Sequence, residues 1–454
     1  MRIAMIGTGY VGLVSGACFS EFGVSVTCVD KDAEKIARLQ RGEMPIFEPG
    51  LEQLVSVNAA AGRLSFTTDL KTALDGADAV FIAVGTPSRR GDGHADLSYV
   101  FAAAAEIADT LAQLPGNGRT VVVTKSTVPV GTGRRVERIL SMRLPAGGFD
   151  VASNPEFLRE GSAIQDFMRP DRVVIGTDSE HARSVLRALY RPLYLLETPV
   201  AFTTIETAEL IKYAANAFLA AKVTFINQIA DLCEAVGADV QDVAHGIGLD
   251  GRIGRKFLHA GPGFGGSCFP KDCAALVRTA AEAGKPLTMV ERVLEINDER
   301  KRAMADRIAE VCGGNVAGKT IAVLGLTFKP NTDDMRESPS LSILPPLVEA
   351  GATIRAFDPE GMTEAKKLLP DLHYCDDAYQ AIDGADALVL LTEWNEFRAL
   401  DLERVKSLLR APVVIDLRNI YQPQDMVDAG FVYHSIGRRT GMPLTAKTTL
   451  KAIA

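Results

Sequence analysis

Apolar and polar positions along this chain switch between two periods. Short apolar runs, each stopped by a glycine, a hydroxyl or an acid, are interleaved with stretches in which apolar residues return at helical spacing. Arg2-Ile3-Ala4-Met5-Ile6 gives way to a glycine turn and a helical pattern from Val11 to Phe22, and Val24 to Val29 then ends on Asp30. Ala79 to Val84, Thr120 to Thr124, Val151 to Ser153 and a last strand from Val173 to Gly176 continue the series. Strands of continuous apolar character separated by helices predict a parallel sheet covered on both faces. From Thr203 to Ala235 the period is helical for some thirty residues, longer than an ordinary globular helix. Such a helix bridges domains or packs against a partner subunit. A second long helical pattern runs from about Pro286 to Val311. A new strand set follows, with Thr320 to Leu324, Thr353 to Phe357, Ala387 to Leu391 and Val413 to Leu417.

The first turn carries chemistry. Gly7-Thr8-Gly9-Tyr10-Val11-Gly12 stands between a strand and a helix, the context a dinucleotide fingerprint requires. Gly7 makes the tight turn, Gly9 lets a pyrophosphate approach the backbone, and Gly12 permits close packing of helix on strand. Asp30 would accept hydrogen bonds from ribose hydroxyls and repel a 2′-phosphate, favouring NAD over NADP, although Lys31 and Lys35 stand nearby. The runs at 79 and 120 end in Gly85-Thr86-Pro87 and Lys125-Ser126-Thr127, where carboxyl-end loops line a ligand crevice. Thr86 and Thr127 are candidate cofactor contacts, and both also suit turns that hold no ligand. Ser88 to Gly93 reads as a polar surface loop. The expected fold is α/β, with two Rossmann-like doubly wound domains joined by a long central helix and a helical dimerisation region. The segments are 1–202, 203–312 and 313–454.

Gly261-Pro262-Gly263-Phe264-Gly265-Gly266-Ser267-Cys268-Phe269-Pro270-Lys271-Asp272 is the other dense stretch. Four glycines in six residues suit a loop whose backbone passes close to a ligand. The loop ends on a thiol followed by Lys271 and Asp272, and a cationic neighbour favours a nucleophilic thiolate. Cysteines stand at 18, 28, 233, 268, 273, 312 and 375, a scatter that makes neither a disulfide framework nor a zinc pattern and suits a reducing cytosol. No metal site is expected. A net charge of −8 over 454 residues argues against a nucleic-acid or anionic-membrane partner, so an anionic ligand needs a local basic pocket. The chain starts directly on a strand with no secretory pattern, and the apolar stretch Leu210 to Leu232 carries Lys212, Lys222 and Asp231, so no membrane span is expected.

Elsewhere the signals are weaker. Asn154-Pro155-Glu156-Phe157-Leu158-Arg159-Glu160-Gly161 can be read as a surface helix entry with acid–base pairing. Lys212 and Asn216 are spaced to share one face of the long helix. Lys329 and the run from Asp333 to Ser338 occupy carboxyl-end loops of the second strand set, which echoes the first without its glycine fingerprint. That predicts a second nucleotide-handling domain working in a different way. The tail from Gly437, with Arg438, Arg439, Lys447 and Lys451, is weakly patterned and expected to be mobile.

Taken together, these motifs resemble the UDP-glucose/GDP-mannose dehydrogenases over nearly the whole chain. The matching residues are Gly7 to Gly12, Gly85 to Pro87, Ser126 to Pro129, Asn154 to Gly161, Lys212 with Asn216, Gly261 to Asp272 and Phe328 to Pro339. The resemblance implies a cytoplasmic NAD-dependent enzyme, a homodimer or higher homo-oligomer, that oxidises a sugar 6-hydroxymethyl to a carboxylate. It makes Cys268 the nucleophile, Lys212 and Asn216 the oxyanion stabilisers, and Glu156 the residue of thioester hydrolysis, with Asp272 and Thr127 holding a water. Cofactor contacts carry over to Val11, Asp30, Lys35, Thr86, Thr127, Glu160, Lys271 and Arg336. Substrate contacts carry over to Glu156, Phe157, Leu158, Arg159 and Glu160, to Lys212 and Asn216, and to Phe257, Leu258, His259, Ala260, Gly261, Gly265 and Lys329. Arg252 matches a residue that reaches the neighbouring subunit's UDP-sugar. Cys268-Phe269-Pro270-Lys271 is similar to the UDP-glucose branch. GDP-mannose or UDP-N-acetylhexosamine oxidation, and a catalytically silent nucleotide-sugar-binding regulator, are the alternatives.

Overall fold

Two sheets of nearly all-parallel strands collect the apolar runs. The computed structural model describes residues 1–87, 89, 94–114 and 118–441. Its chain divides into one unit of Met1–Ala215 with Ala274–Pro286, and another of Asn216–Cys273 with the chain from Leu287 on.

In the first unit the strands are β1 (Arg2–Ile6), β2 (Ser25–Val29), β3 (Leu64–Thr67), β4 (Ala79–Ile82), β5 (Thr120–Thr124), β6 (Phe149–Ser153), β7 (Val173–Gly176) and β8 (Val200–Thr203). Their order is β3-β2-β1-β4-β5-β6-β7-β8, and every pairing is parallel except β6 with β7. Strand order reverses beside β1, so the loops after β1 and β4 open at the switch point where doubly wound folds bind ligands. β4 and β5 are buried at every position, as strands covered on both faces must be. Strand β8, beyond the last one predicted, is half-exposed at the sheet edge, and its apolar run is only the three residues Val200 to Phe202.

The second unit holds β9 (Thr320–Leu324), β10 (Thr353–Phe357), β11 (His373–Tyr374), β12 (Ala387–Leu390), β13 (Val413–Asp416) and β14 (Val432–Ser435), in the order β11-β10-β9-β12-β13-β14. This is the same doubly wound order with fewer strands. The long helices span Ile205–Val236 and Thr288–Val311, within a few residues of the expected limits. No helix among the described residues is long and apolar enough to cross a membrane.

Two expectations need correction. Residues 154–160 form a loop rather than a helix entry, and Asn154 and Glu156 are buried in it; helix begins only at Ala163. Arg159 pairs with Asp166, not with its neighbouring acids. The start of the tail is also anchored. The Gly437 N–H donates to Glu234, and Arg438 is buried and donates to Asp239 and to the Tyr421 carbonyl. Lys447 and Lys451 lie outside the described residues, as does nearly all of the loop from Ser88 to Gly93.

Candidate functional site

The β1 turn divides its glycines by purpose. A Cβ on Gly7, which has φ +101°, would lie 2.7 Å from the Ala83 carbonyl oxygen, and one on Gly12 would lie 2.0 Å from the Gly7 oxygen. Packing of the chain itself therefore requires both. A Cβ on Gly9 would meet nothing within 4 Å, so the openness there serves something other than internal packing. The helix Tyr10–Glu21 starts there with no side-chain cap, leaving its first N–H groups available to an anion. Asp30, at the end of β2, accepts from the Thr8 N–H (2.9 Å), the Thr8 hydroxyl (2.7 Å) and the Lys35 ammonium (3.0 Å). Burial works to raise its pKa, but these donors and the Asp32 N–H outweigh it and bring the carboxyl to about 2. These residues fit a dinucleotide. The Thr86 hydroxyl donates to the Thr127 carbonyl (3.0 Å), tying together the turns after β4 and β5. Val11 packs against the core of this unit.

The loop after β6 is fastened from below. Buried Glu48 accepts from the Tyr10 hydroxyl and from the N–H groups of Gly161 (2.6 Å) and Ala163 (2.7 Å). Half-buried Glu160 sits beside that clamp. Glu156 accepts from the Leu158 N–H at 2.5 Å and lies 3.3 Å from the Lys212 ammonium, with both side chains almost fully buried. A buried pair of this kind keeps both charges only because each compensates the other. The Phe157 ring lies under the Arg172 guanidinium (3.7 Å) and 5.3 Å from the Lys212 ammonium, so two cations face one ring.

In the second unit Cys268 caps a helix. The Asp272 N–H donates to the Cys268 carbonyl at 2.8 Å, and helix runs over Phe269–Glu282 with Pro270 at a position that needs no amide donor. Its sulfur therefore stands at the end of a helix dipole that favours an anion. Cys268 is the one cysteine that is not buried; Cys28 and Cys273, for contrast, are pushed up to about 12 by burial. Asp272 is buried and accepts from Asn216 (2.6 Å) on one oxygen and Lys271 (2.8 Å) on the other. Asn216 lies one helical turn after Lys212.

Packing of the chain on itself also bears on the glycine loop. A Cβ on Gly265 would lie 2.2 Å from the Glu337 oxygen, and one on Gly266, at φ +81°, would lie 2.6 Å from the Phe328 ring. The Gly266 N–H donates to the Arg336 carbonyl. These two glycines are required by close approach to the chain's own 328–337 segment, which carries Lys329 and Arg336. Phe269, the residue that suggested a sugar branch, packs between the rings of Phe257 and Phe264. Leu258 and Ala260 are in the core, which leaves His259 as the exposed side chain of that run and Gly261 as backbone. Arg252 extends to solvent and pairs with nearby Asp250.

Several residues that hold these groups escape the sequence. Asn297 both donates to the Phe264 carbonyl and accepts its N–H, while Arg300 donates to the Gly261 carbonyl and Asn227 accepts the Gly261 N–H. Asn297 and Arg300 lie on a highly charged helix that reads as solvated, so no pattern marks their buried face. Lys125 has a signal: an ammonium directly after β5, whose centre is three consecutive valines.

Comparison with known proteins agrees with this arrangement. The NAD-binding, central and UDP-binding domain models of the UDP-glucose/GDP-mannose dehydrogenase family match residues 1–194, 206–299 and 322–423. A UDP-glucose 6-dehydrogenase of Rhizobium meliloti is 62% identical over 440 residues, covering 96% of this chain and all of the relative. Among solved structures, a UDP-glucose dehydrogenase from Pyrobaculum islandicum superposes with a TM-score of 0.87 at 38% identity, covering 96% of this chain and 98% of that one. A UDP-D-ManNAc dehydrogenase from Pyrococcus horikoshii reaches 0.80 at 28%, covering 96% and 99%. With a fingerprint turn that fits NAD and three consecutive domain matches, the chain belongs to the UDP-glucose/GDP-mannose dehydrogenase family.

Proposed function

We propose that this enzyme oxidises the 6-hydroxymethyl group of UDP-glucose to the carboxylate of UDP-glucuronate, a four-electron change. The observation that carries the reading is Cys268, an accessible thiol at a helix N-terminus beside the Asn216–Asp272–Lys271 cluster. The UDP-glucose branch is favoured by 62% identity with the Rhizobium meliloti enzyme, against 28% with the UDP-D-ManNAc dehydrogenase.

Bound through the Gly7–Gly12 turn, Asp30, Lys35, Thr86, Glu160, Lys271 and Arg336, NAD supplies the hydride acceptor for both oxidations. Lys212 and Asn216 stabilise negative charge on the C6 oxygen. An aldehyde has no hydride to give until a nucleophile adds to it, so the Cys268 sulfur forms a bond to C6. Loss of a hydride from C6 and of the proton from its hydroxyl turns that thiohemiacetal into a thioester. Water then attacks C6, its proton passes to Glu156, the carbon–sulfur bond breaks and the thiol is released. Asp272 and Thr127 hold the water. The loops at 156–160 and 257–265, with Lys329, take the nucleotide sugar.

Residues 203–312 serve dimerisation in this reading. Phe218, Phe225 and Leu232 recur every seven residues along the long helix and are 63%, 52% and 55% exposed, an apolar stripe suited to a second copy. Arg252 reaches the partner's nucleotide sugar. The free thiols suit a cytoplasmic protein.

Glu156→Gln tests the hydrolytic step. Two NADH per active site should be released in a burst, followed by turnover slowed roughly 10²–10⁴-fold, with a covalent adduct on the Cys268 peptide by mass spectrometry. No burst, no adduct and a slowed first hydride transfer would move hydrolysis to Asp272 and Thr127. A higher kcat/KM for GDP-mannose or a UDP-N-acetylhexosamine would overturn the sugar assignment alone.

A further inference from the structure

Lys125 is a buried ammonium that the reaction as written does not use. It follows β5 directly and is 3% exposed. Its direct partners are neutral: the Asn154 side-chain oxygen at 3.1 Å, the Asn154 carbonyl at 3.4 Å and the Tyr190 hydroxyl at 3.5 Å, with the Phe167 ring centre 5.9 Å away. The Asn154 oxygen also accepts from the Tyr190 hydroxyl at 2.6 Å, and the Asn154 amide donates to the Val174 carbonyl at 2.8 Å. These bonds fix the first residue of the Asn154-Pro155-Glu156 turn. Two residues on, Glu156 meets Lys212.

Burial of an ammonium against neutral groups costs several kcal/mol, and an apolar side chain of similar length would fill the space without that cost. Its charge is therefore the feature to explain. The charged and titratable groups around it are Glu156 on the loop after β6, Lys212 on the long helix and the Tyr190 phenol at the end of the helix Glu180–Leu189. Burial lowers the Lys125 pKa to about 8; Glu156 pulls it back up and Lys212 pushes it further down. Burial also moves Tyr190 upward, so the phenol stays neutral. The set consists of two cations and one carboxylate.

We propose that Lys125 is a positioning residue for thioester hydrolysis: it anchors the Asn154–Glu156 turn and adds a second positive charge to the buried cluster in which the Glu156 carboxylate faces Lys212. This inference rests on the hydrolytic role given to Glu156. An ionised Glu156 can take a proton from the attacking water, whereas a protonated one cannot. At neutral pH Lys125 carries its proton and supports that state; as the pH rises through about 8 it becomes neutral and the support fades.

The test combines Lys125→Gln, which keeps a donor for Asn154 without the charge, with Lys125→Arg, which keeps the charge. Each is made alone and with Glu156→Gln, and kcat, KM, the NADH burst and the melting temperature are followed against pH. Lys125→Gln should keep its burst and its KM values within about twofold, move the acid limb of kcat up by about one pH unit, and lose up to roughly tenfold in kcat at pH values on that limb while changing little above it. Lys125→Arg should leave that limb in place. In the Glu156→Gln background, Lys125→Gln should change the residual hydrolysis less than about twofold. Should Lys125→Gln fail to fold, Lys125→Met offers the same loss of charge in an apolar side chain. An unmoved acid limb, an equal shift in Lys125→Arg, or an undiminished effect in the Glu156→Gln background would overturn the proposal. Absence of a trapped thioester in Glu156→Gln alone removes the reading beneath it; a normal trap with an unmoved limb removes only this inference.

Discussion

The two doubly wound units place an aspartate at the same point and use it in opposite ways. In the first, the Gly7 N–H donates to the Val29 carbonyl at the end of β2, and Thr8 donates twice to Asp30. In the second, the Gly325 N–H donates to the Phe357 carbonyl at the end of β10, and Thr327 donates twice to Asp358. Beyond that the two diverge. After β1 a helix begins at Tyr10 with open space at Gly9; after β9 the next helix begins only at Ser340. Asp30 keeps some contact with solvent and shares an oxygen with Lys35. Asp358 is fully buried, and its remaining capacity is taken by the Leu326, Glu360 and Gly361 N–H groups and the Trp394 indole. One acid keeps the solvent access that its proposed role as a ligand acceptor needs, while the other is a clamp for the 325–339 loop that carries Lys329 and Arg336. Equivalent topology fixes where an acid stands; the donors around it decide whether a ligand can reach it.

The largest expected effect breaks the clamp. Asp358→Ala leaves five donors without their acceptor, while the Thr327 hydroxyl can still donate to the Lys329 carbonyl at 3.0 Å. At about 1–3 kcal/mol for each donor that stays unsatisfied, two or three such donors would lower the unfolding free energy by about 3–5 kcal/mol, the others finding water in the space the carboxylate vacates. Asp30→Ala should cost less, about 1–3 kcal/mol, because Lys35 can turn to water and only the Thr8 donors are left buried, and should also raise the KM for NAD. Denaturant titration of both variants decides this. Equal losses of stability would mean that Asp30 is as much a clamp as Asp358.

The first half of this comparison is legible in the sequence because the fingerprint is local. Gly12 and Asp30 are set by contacts within one strand–turn–helix–strand segment, Gly7 stands in the same turn although the carbonyl that excludes its Cβ belongs to Ala83, and glycine leaves a visible mark wherever a Cβ cannot fit. Most strands of both units are legible for a related reason, since buried parallel strands read as continuous apolar runs. What stays hidden depends on contacts between distant segments. Trp394 reaches Asp358 across 36 residues, and Asn297 reaches Phe264 across 33. The loop at 154–160 reads as a helix entry because Glu and Arg at helical spacing look like surface pairs. Its burial comes from Glu48 and Lys125, both far away in the chain. Gly265 and Gly266 do lie in a tight loop, but whether a ligand or the chain itself stands against a glycine is not written in local sequence.

A medium effect sharpens the ligand-facing half. With Asp30 as the ribose acceptor, the unmodified enzyme should prefer NAD to NADP in kcat/KM, because a 2′-phosphate would meet the Asp30 carboxylate. Asp30→Ser removes that repulsion and leaves Lys35 without its partner, so the ratio of NAD to NADP should fall by roughly 10–100-fold, about 1.4–2.7 kcal/mol. Steady-state kinetics with each cofactor gives the ratio. An unmodified enzyme that used both equally would show that the Lys35 ammonium sets the local charge, and Asp30 would lose the role on which the contrast depends.

The smallest effect asks whether the indole alone separates the two acids. Trp394→Phe removes one of the donors to Asp358 and keeps an aromatic ring in a largely buried position. One lost hydrogen bond is worth about 1 kcal/mol, and some lost packing adds to it, so the melting temperature should fall modestly. The more informative measurement is NAD stoichiometry by equilibrium dialysis. If the indole were the only barrier, Trp394→Phe would open Asp358 to a ribose and a second NAD would bind per chain. Five donors would still hold the carboxylate, and Thr327, fully buried, stands two residues after Gly325, at the place where the first unit has an open Gly9. The stoichiometry should therefore stay at that of the unmodified enzyme. A second bound NAD would place the difference between the units in a single side chain rather than in the whole turn.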